Sequence, residues 1–156
     1  MCKSFSLKAA CADCPFKKGK GYLTPERIEG IMEVMKSEDG LFPCHKTVSG
    51  ERQEYEEVLS QILEIASEIE NPQERQLEVE KLKIEYNLAE YEAEYIKALE
   101  HEKICAGWLI LSEKEGILNN NFRMRLAAMS GLLDMGTYKN KELVYDSTAE
   151  AMKAHE

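Results

Sequence analysis

Four cysteines are the residues of this sequence best placed to do chemistry together. Cys11 and Cys14 form a Cys-x-x-Cys pair in CADCPFKKG, Cys44 lies in FPCHK and Cys105 in CAGWL. Two thiolates at that spacing converge on one ion from a tight turn, and Pro15 stiffens the turn while withdrawing one amide. The gaps from Cys14 to Cys44 and from Cys44 to Cys105 hold 29 and 60 residues, so only tertiary folding can complete the set. The competing interpretation is a group of buried or reactive thiols, since isolated cysteines fill cores more often than they bind metals. The surroundings favour the metal. Compact residues accompany the motifs (Pro15, Pro43 and Gly107), and so do aromatics that would shield a centre from water (Phe16, Phe42 and Trp108).

Four thiolates suit both a tetrahedral zinc ion and a [4Fe–4S] cubane. The Cys-Pro step and the apolar aromatics lean towards the iron-sulfur cluster, with zinc as the alternative. His45 follows Cys44 directly, and adjacent side chains rarely reach one ion without strain. It is therefore expected behind the ligands or on an anion, and becomes the replacement in a Cys3His site if Cys11 or Cys105 does not ligate. Cys2 stands outside the spacing pattern and reads as a spare thiol.

These residues must be positioned by helices. Thr24 and Pro25 open a helix whose apolar stripe, Ile28, Ile31, Met32 and Met35, runs towards Gly40. In 51–70, Tyr55, Val58, Leu59, Ile62, Ile65 and Ile69 recur at helical spacing among glutamates. Asn71-Pro72 breaks and restarts the helix, and Leu77, Ile84, Leu88, Tyr91, Tyr95 and Leu99 extend the pattern to about residue 103. This predicts an antiparallel two-helix hairpin. A buried helix follows Cys105 and stops at Gly116. Another is capped near Asn121, with Phe122, Leu126, Met129 and Leu133 on one face. Ser147 and Glu150 have capping-box spacing for a last helix. The expected fold class is mainly α, one small metal-centred domain over 1–156, with at most a short β element near 41–50.

The chain has 156 residues, 44% hydrophobic and 31% charged, the composition of a folded globular chain. The absence of a signal-like or spanning apolar run predicts a cytoplasmic protein with no membrane association, where reduced cysteines point to metal or redox chemistry before disulfides. The net charge is −9, and of 29 acidic and 20 basic residues, 15 and 5 lie in 51–100. The acidity thus belongs to that segment, and the overall balance argues against wholesale nucleic-acid binding. Lys17, Lys18, Lys20, Lys46, Arg123 and Arg125 could still gather around the centre, either as an anion-binding patch or, the favoured interpretation, as neutralisation of the thiolates.

The motifs CADCPFKKG, FPCHK and CAGWL, followed by FRMRLAAMSG and a late Tyr145 with Met152, resemble a family of small uncharacterised proteins of bacteria and their phages. That family shares a CxxCPF, CH and CAG signature. The resemblance covers 8–50 and 104–156 and implies Cys11, Cys14, Cys44 and Cys105 as the shared cluster, with His45 and Arg123 or Arg125 as accompanying polar positions. In similar sequences the CH and CAG motifs lie close together, so 51–103 looks like an inserted acidic hairpin.

No phosphate-binding glycine loop, HExxH pair or nucleophile–base pair is present, and four matched thiols leave no open catalytic position. The sequence therefore leans away from an enzyme. It favours a binding or regulatory metalloprotein whose segment 51–103 offers a partner or self-association surface. A cluster-based redox or nucleic-acid-processing protein is the alternative.

Overall fold

The computed structural model describes residues 4–156, so Cys2 lies outside the described residues. The fold is mainly α. Seven α-helices span Pro25–Lys36 (α1), Gly50–Ser67 (α2), Pro72–Glu85 (α3), Leu88–His101 (α4), Ala106–Lys114 (α5), Phe122–Met129 (α6) and Thr148–Ala154 (α7), joined by three short 3-10 turns. No strand forms among the described residues. The β element expected near 41–50 reduces to an isolated bridge of Pro43 with Ile104, and a second bridge joins Lys17 to Val144.

The chain divides into two compact units, one built from 1–46 and 103–156 and the other from 47–102. In the first unit, α1 begins where its residue types dictate. The Thr24 side chain accepts the Arg27 amide hydrogen and Pro25 occupies the first turn, where its missing N–H costs nothing. Its stripe of Ile28, Ile31, Met32 and Met35 is buried as expected. Helix α5 is buried along nearly its whole length, from Ala106 to Ser112, and Gly116 ends it in the left-handed region at φ +72°. Trp108 anchors α5 to α1, with its indole N–H donating to the Ile31 carbonyl at 3.1 Å.

Helix α6 turns the other way from its expected face. Phe122, Leu126 and Met129 are exposed, Met129 by 84%, whereas Met124 and Ala127 are buried. Asn121 caps the Met124 amide and its side-chain NH2 donates to the Gly40 carbonyl at 2.8 Å. That pair of bonds fixes the rotation of the helix, and the short Met124–Ala127 seam is what reaches the core.

The second unit holds three helices where two were expected. Asn87 adopts φ +52°, a left-handed conformation that asparagine tolerates because its short side chain can bond locally. It splits the run after Asn71 into α3 and α4. The three helices pack on one another around Ile62, Leu82 and Leu88, flanked by Tyr55, Val58, Leu59, Val79 and Tyr86. The break rotates the apolar face, so Leu77 and Ile84 of the anticipated stripe point outwards, Ile84 by 82%. Tyr55 and Tyr95 stack at 4.9 Å between ring centroids.

Candidate metal centre

The four cysteines lie in the first unit as two close pairs, Cys14 with Cys105 and Cys11 with Cys44. Cys14, Cys44 and Cys105 belong to its hydrophobic core, with Cys11 packed against it, and all four are thiols. The Cys-x-x-Cys turn is closed by the Cys14 amide donating to the Cys11 carbonyl at 3.2 Å and the Lys17 amide to the Cys14 carbonyl at 3.1 Å. Cys44 and Cys105 are brought into register by a local ladder. The Cys44 amide bonds the Lys103 carbonyl at 2.7 Å, and the Cys105 amide the Phe42 carbonyl at 3.0 Å. Cys105 then occupies the N-cap of α5.

The sulfurs of Cys14 and Cys105 are 3.8 Å apart. The ligand atoms of Cys11, Cys44 and His45 all lie within 4.8 Å of one another, a cluster able to hold a metal ion. The two groups interact, since Cys44 senses the charges of Cys105 and Cys11, and Cys14 senses that of Cys11. His45, expected behind the ligands, is thus close enough to Cys11 and Cys44 to share an ion with them, although its side chain is exposed.

Nearby backbone amides favour the thiolate forms: that of Phe16 acts on Cys14, that of Lys46 on Cys44, and those of Trp108 and Gly107 on Cys105. The buried Cys14–Cys105 pair is polarised by this arrangement. The Cys14 thiol donates to Cys105 and so holds its pKa down, helped by the Gly107 and Trp108 amides. Its role as donor and its burial push Cys14 the opposite way. Burial also raises Cys44.

Gly107 is required by close approach: a Cβ built there would sit 2.3 Å from the Cys14 sulfur. The three aromatics expected to shield the centre form one connected wall, Phe16 to Phe42 and Phe42 to Trp108, each 6.1 Å between centroids.

Four of the six basic residues of the expected patch, Lys18, Lys20, Lys46 and Arg123, face a carboxylate. Lys46 pairs with Asp13 at 2.8 Å and Lys20 with Asp13 at 3.9 Å, while Lys18 and Lys114 share Asp146 at 2.8 and 2.7 Å. Arg123 lies 4.0 Å from Asp39 and Arg125 stacks over the Phe122 ring at 5.7 Å. These contacts engage both arginines on or beside α6.

How the Cys-x-x-Cys loop is fastened depends on contacts that spacing along the chain does not reveal. The C-terminal segment straps it: the Tyr145 amide donates to the Phe16 carbonyl at 3.0 Å, the Lys18 amide to the Leu143 carbonyl at 2.7 Å, and the Tyr145 hydroxyl to the Lys20 carbonyl at 2.8 Å. His155, buried at the end of α7, bridges the two sides of the loop. Its Nδ1 accepts from the Leu23 amide at 3.0 Å, which leaves Nε2 to donate to the Pro15 carbonyl at 2.9 Å. A histidine just beyond a capped terminal helix was the sole signal in the sequence.

Among the described residues, no helix is long and apolar enough to cross a membrane. Comparison with protein-family models, curated proteins and solved structures finds no match.

Proposed function

We propose that Cys11, Cys14, Cys44 and Cys105 bind a single Zn2+ ion that holds the first unit together, in a protein whose acidic unit 47–102 presents a partner surface. The observations that carry this reading are the grouping of the Cys11, Cys44 and His45 ligand atoms within 4.8 Å of one another and, beside it, the 3.8 Å separation of the Cys14 and Cys105 sulfurs. Zinc–sulfur bonds of about 2.3 Å directed to the corners of a tetrahedron place neighbouring sulfurs about 3.8 Å apart. A cubane carries its thiolates on four separate iron corners, each pointing outwards, and holds them much farther apart. The sulfur spacing therefore favours one ion over the iron-sulfur cluster that the Cys-Pro step suggested.

Four thiolates fill the tetrahedron, which makes the ion structural and leaves no position for a substrate or water. The pairing of Lys46 with Asp13 and of Lys18 with Asp146 supports charge balance over an anion-binding task. A partner surface on the second unit is supported by its acidity together with exposed Leu63, Leu77, Ile84 and Ile96, a combination that would suit a basic, apolar segment. The phage-type cysteine signature fits the same four ligands.

The test is metal analysis of protein purified under reducing conditions, followed by Co2+ exchange. One zinc per chain, and a cobalt form with the intense visible bands of tetrahedral thiolate coordination, are expected. Iron with acid-labile sulfide would replace the ion by a cluster, and protein with neither metal would overturn the reading. Retention of full cobalt band intensity in His45→Ala separates a four-cysteine site from one that uses the imidazole.

A further inference from the structure

The four thiols differ in access, and Cys11 stands apart: Cys14, Cys44 and Cys105 are 0%, 3% and 3% exposed. Cys14 and Cys105 lie against each other, whereas Cys44 lies beside the reachable Cys11. The first two are also enclosed: Cys105 stands at the N-cap of the buried helix α5, and Cys14 lies against Gly107. Cys11 is only half-buried, lies in irregular backbone and has Cys44 and the exposed His45 within 4.8 Å. Oxidation of cysteine begins at a thiolate that the oxidant can reach, and a second thiol a few ångströms away resolves the product.

We infer that Cys11 and Cys44 form a peroxide-reactive dithiol that closes to a disulfide while Cys14 and Cys105 stay reduced. The Cys11 thiolate attacks one peroxide oxygen, the O–O bond breaks and the departing hydroxide is protonated to water, leaving a sulfenic acid. The Cys44 thiolate then attacks that sulfur, an S–S bond forms, the S–O bond breaks and a second water leaves. Two thiols and one hydrogen peroxide give one disulfide and two waters. Peroxide takes the two electrons and the metal keeps its oxidation state. The consequence rests on the zinc reading: a disulfide has lost both thiolate charges, two ligands remain, and the ion is released.

Proximity alone would select the other pair, whose sulfurs are at 3.8 Å, so the identity of the disulfide discriminates between access and distance. The experiment uses the full chain carrying Cys2→Ala, which removes the terminal thiol from exchange. Zinc is quantified first. Hydrogen peroxide is then added in small excess, ion release is followed with a chromophoric chelator, and remaining thiols are alkylated before peptide mapping without reductant. One Cys11–Cys44 disulfide per zinc released, reversed by dithiothreitol, is the expected result. A Cys14–Cys105 disulfide, or Cys11 carried to the sulfinic acid with no disulfide, would overturn the inference. A Cys11–Cys44 disulfide in protein that held no zinc would sink the metal reading and leave the dithiol standing. Zinc retained after that disulfide forms would overturn release as its consequence.

Discussion

Gly107 decides whether the buried half of the centre can assemble. A methyl group 2.3 Å from the Cys14 sulfur cannot be absorbed by a fully buried side chain, and forced overpacking of this kind costs about 1–3 kcal/mol. Gly107→Ala should therefore lower zinc affinity by at least about tenfold, a factor equivalent to about 1.4 kcal/mol, as read by chelator competition. Affinity equal to wild type would show that the Cys14 sulfur is not held at the ion. His155 acts at the same scale through two backbone groups of the ligand loop. His155→Ala leaves the Pro15 carbonyl and the Leu23 amide without their partner, and each unsatisfied buried group costs about 1–3 kcal/mol. A lower urea midpoint of zinc-loaded protein is expected, and an unchanged midpoint would remove the imidazole from the strap.

At the scale of elements, the strap is tied by charge as well as by hydrogen bonds. Lys114 and Lys18 hold the Asp146 carboxyl down to about 2. A carboxyl whose folded value lies below its unfolded value of about 3.9 stabilises the fold above that value, and the contribution fades as pH falls through about 2. The side chain is exposed, so the effect is modest and screened by salt. Wild type should exceed Asp146→Asn in urea midpoint at pH 6, and the gap should close towards pH 2; a gap that persists there would assign the stability to packing. The break between α3 and α4 gives a separate test. Asn87 holds φ +52°, a region that costs a β-branched residue about 1–2 kcal/mol, so Asn87→Val should lower the melting temperature whereas Asn87→Gly should leave it nearly unchanged.

For the whole molecule, the first unit closes on itself without residues 47–102. The Cys44 amide bonds the Lys103 carbonyl at 2.7 Å and Pro43 bridges Ile104, so the two ends of the acidic unit leave from adjacent positions. A chain in which 48–101 are replaced by a short Gly/Ser linker should keep one zinc and its cobalt spectrum. Loss of metal from that chain would make the second unit part of the site's support. The centre's pH dependence belongs to the same scale: thiolates must shed their protons to bind the ion, so zinc affinity should fall steadily with acidification.

The sequence by itself determined the features that rest on local chemistry. Thr24-Pro25, Asn71-Pro72, Asn121 and Ser147 begin helices because their side chains or missing amides satisfy the first turn. The Cys-x-x-Cys turn and the buried stripe of α1 follow from spacing and residue type in the same way. Three things depended on contacts between distant segments. The outward rotation of α6 is set by Asn121 reaching Gly40 across 81 residues. The split at Asn87 is confined to one left-handed residue, which leaves the apolar period before and after it nearly intact, so the pattern reads as one helix. The convergence of Cys14 with Cys105 joins residues 91 apart. Its 3.8 Å sulfur spacing exists only once α5 has docked on the cysteine loop, because no periodicity along a chain encodes a distance between side chains on different elements.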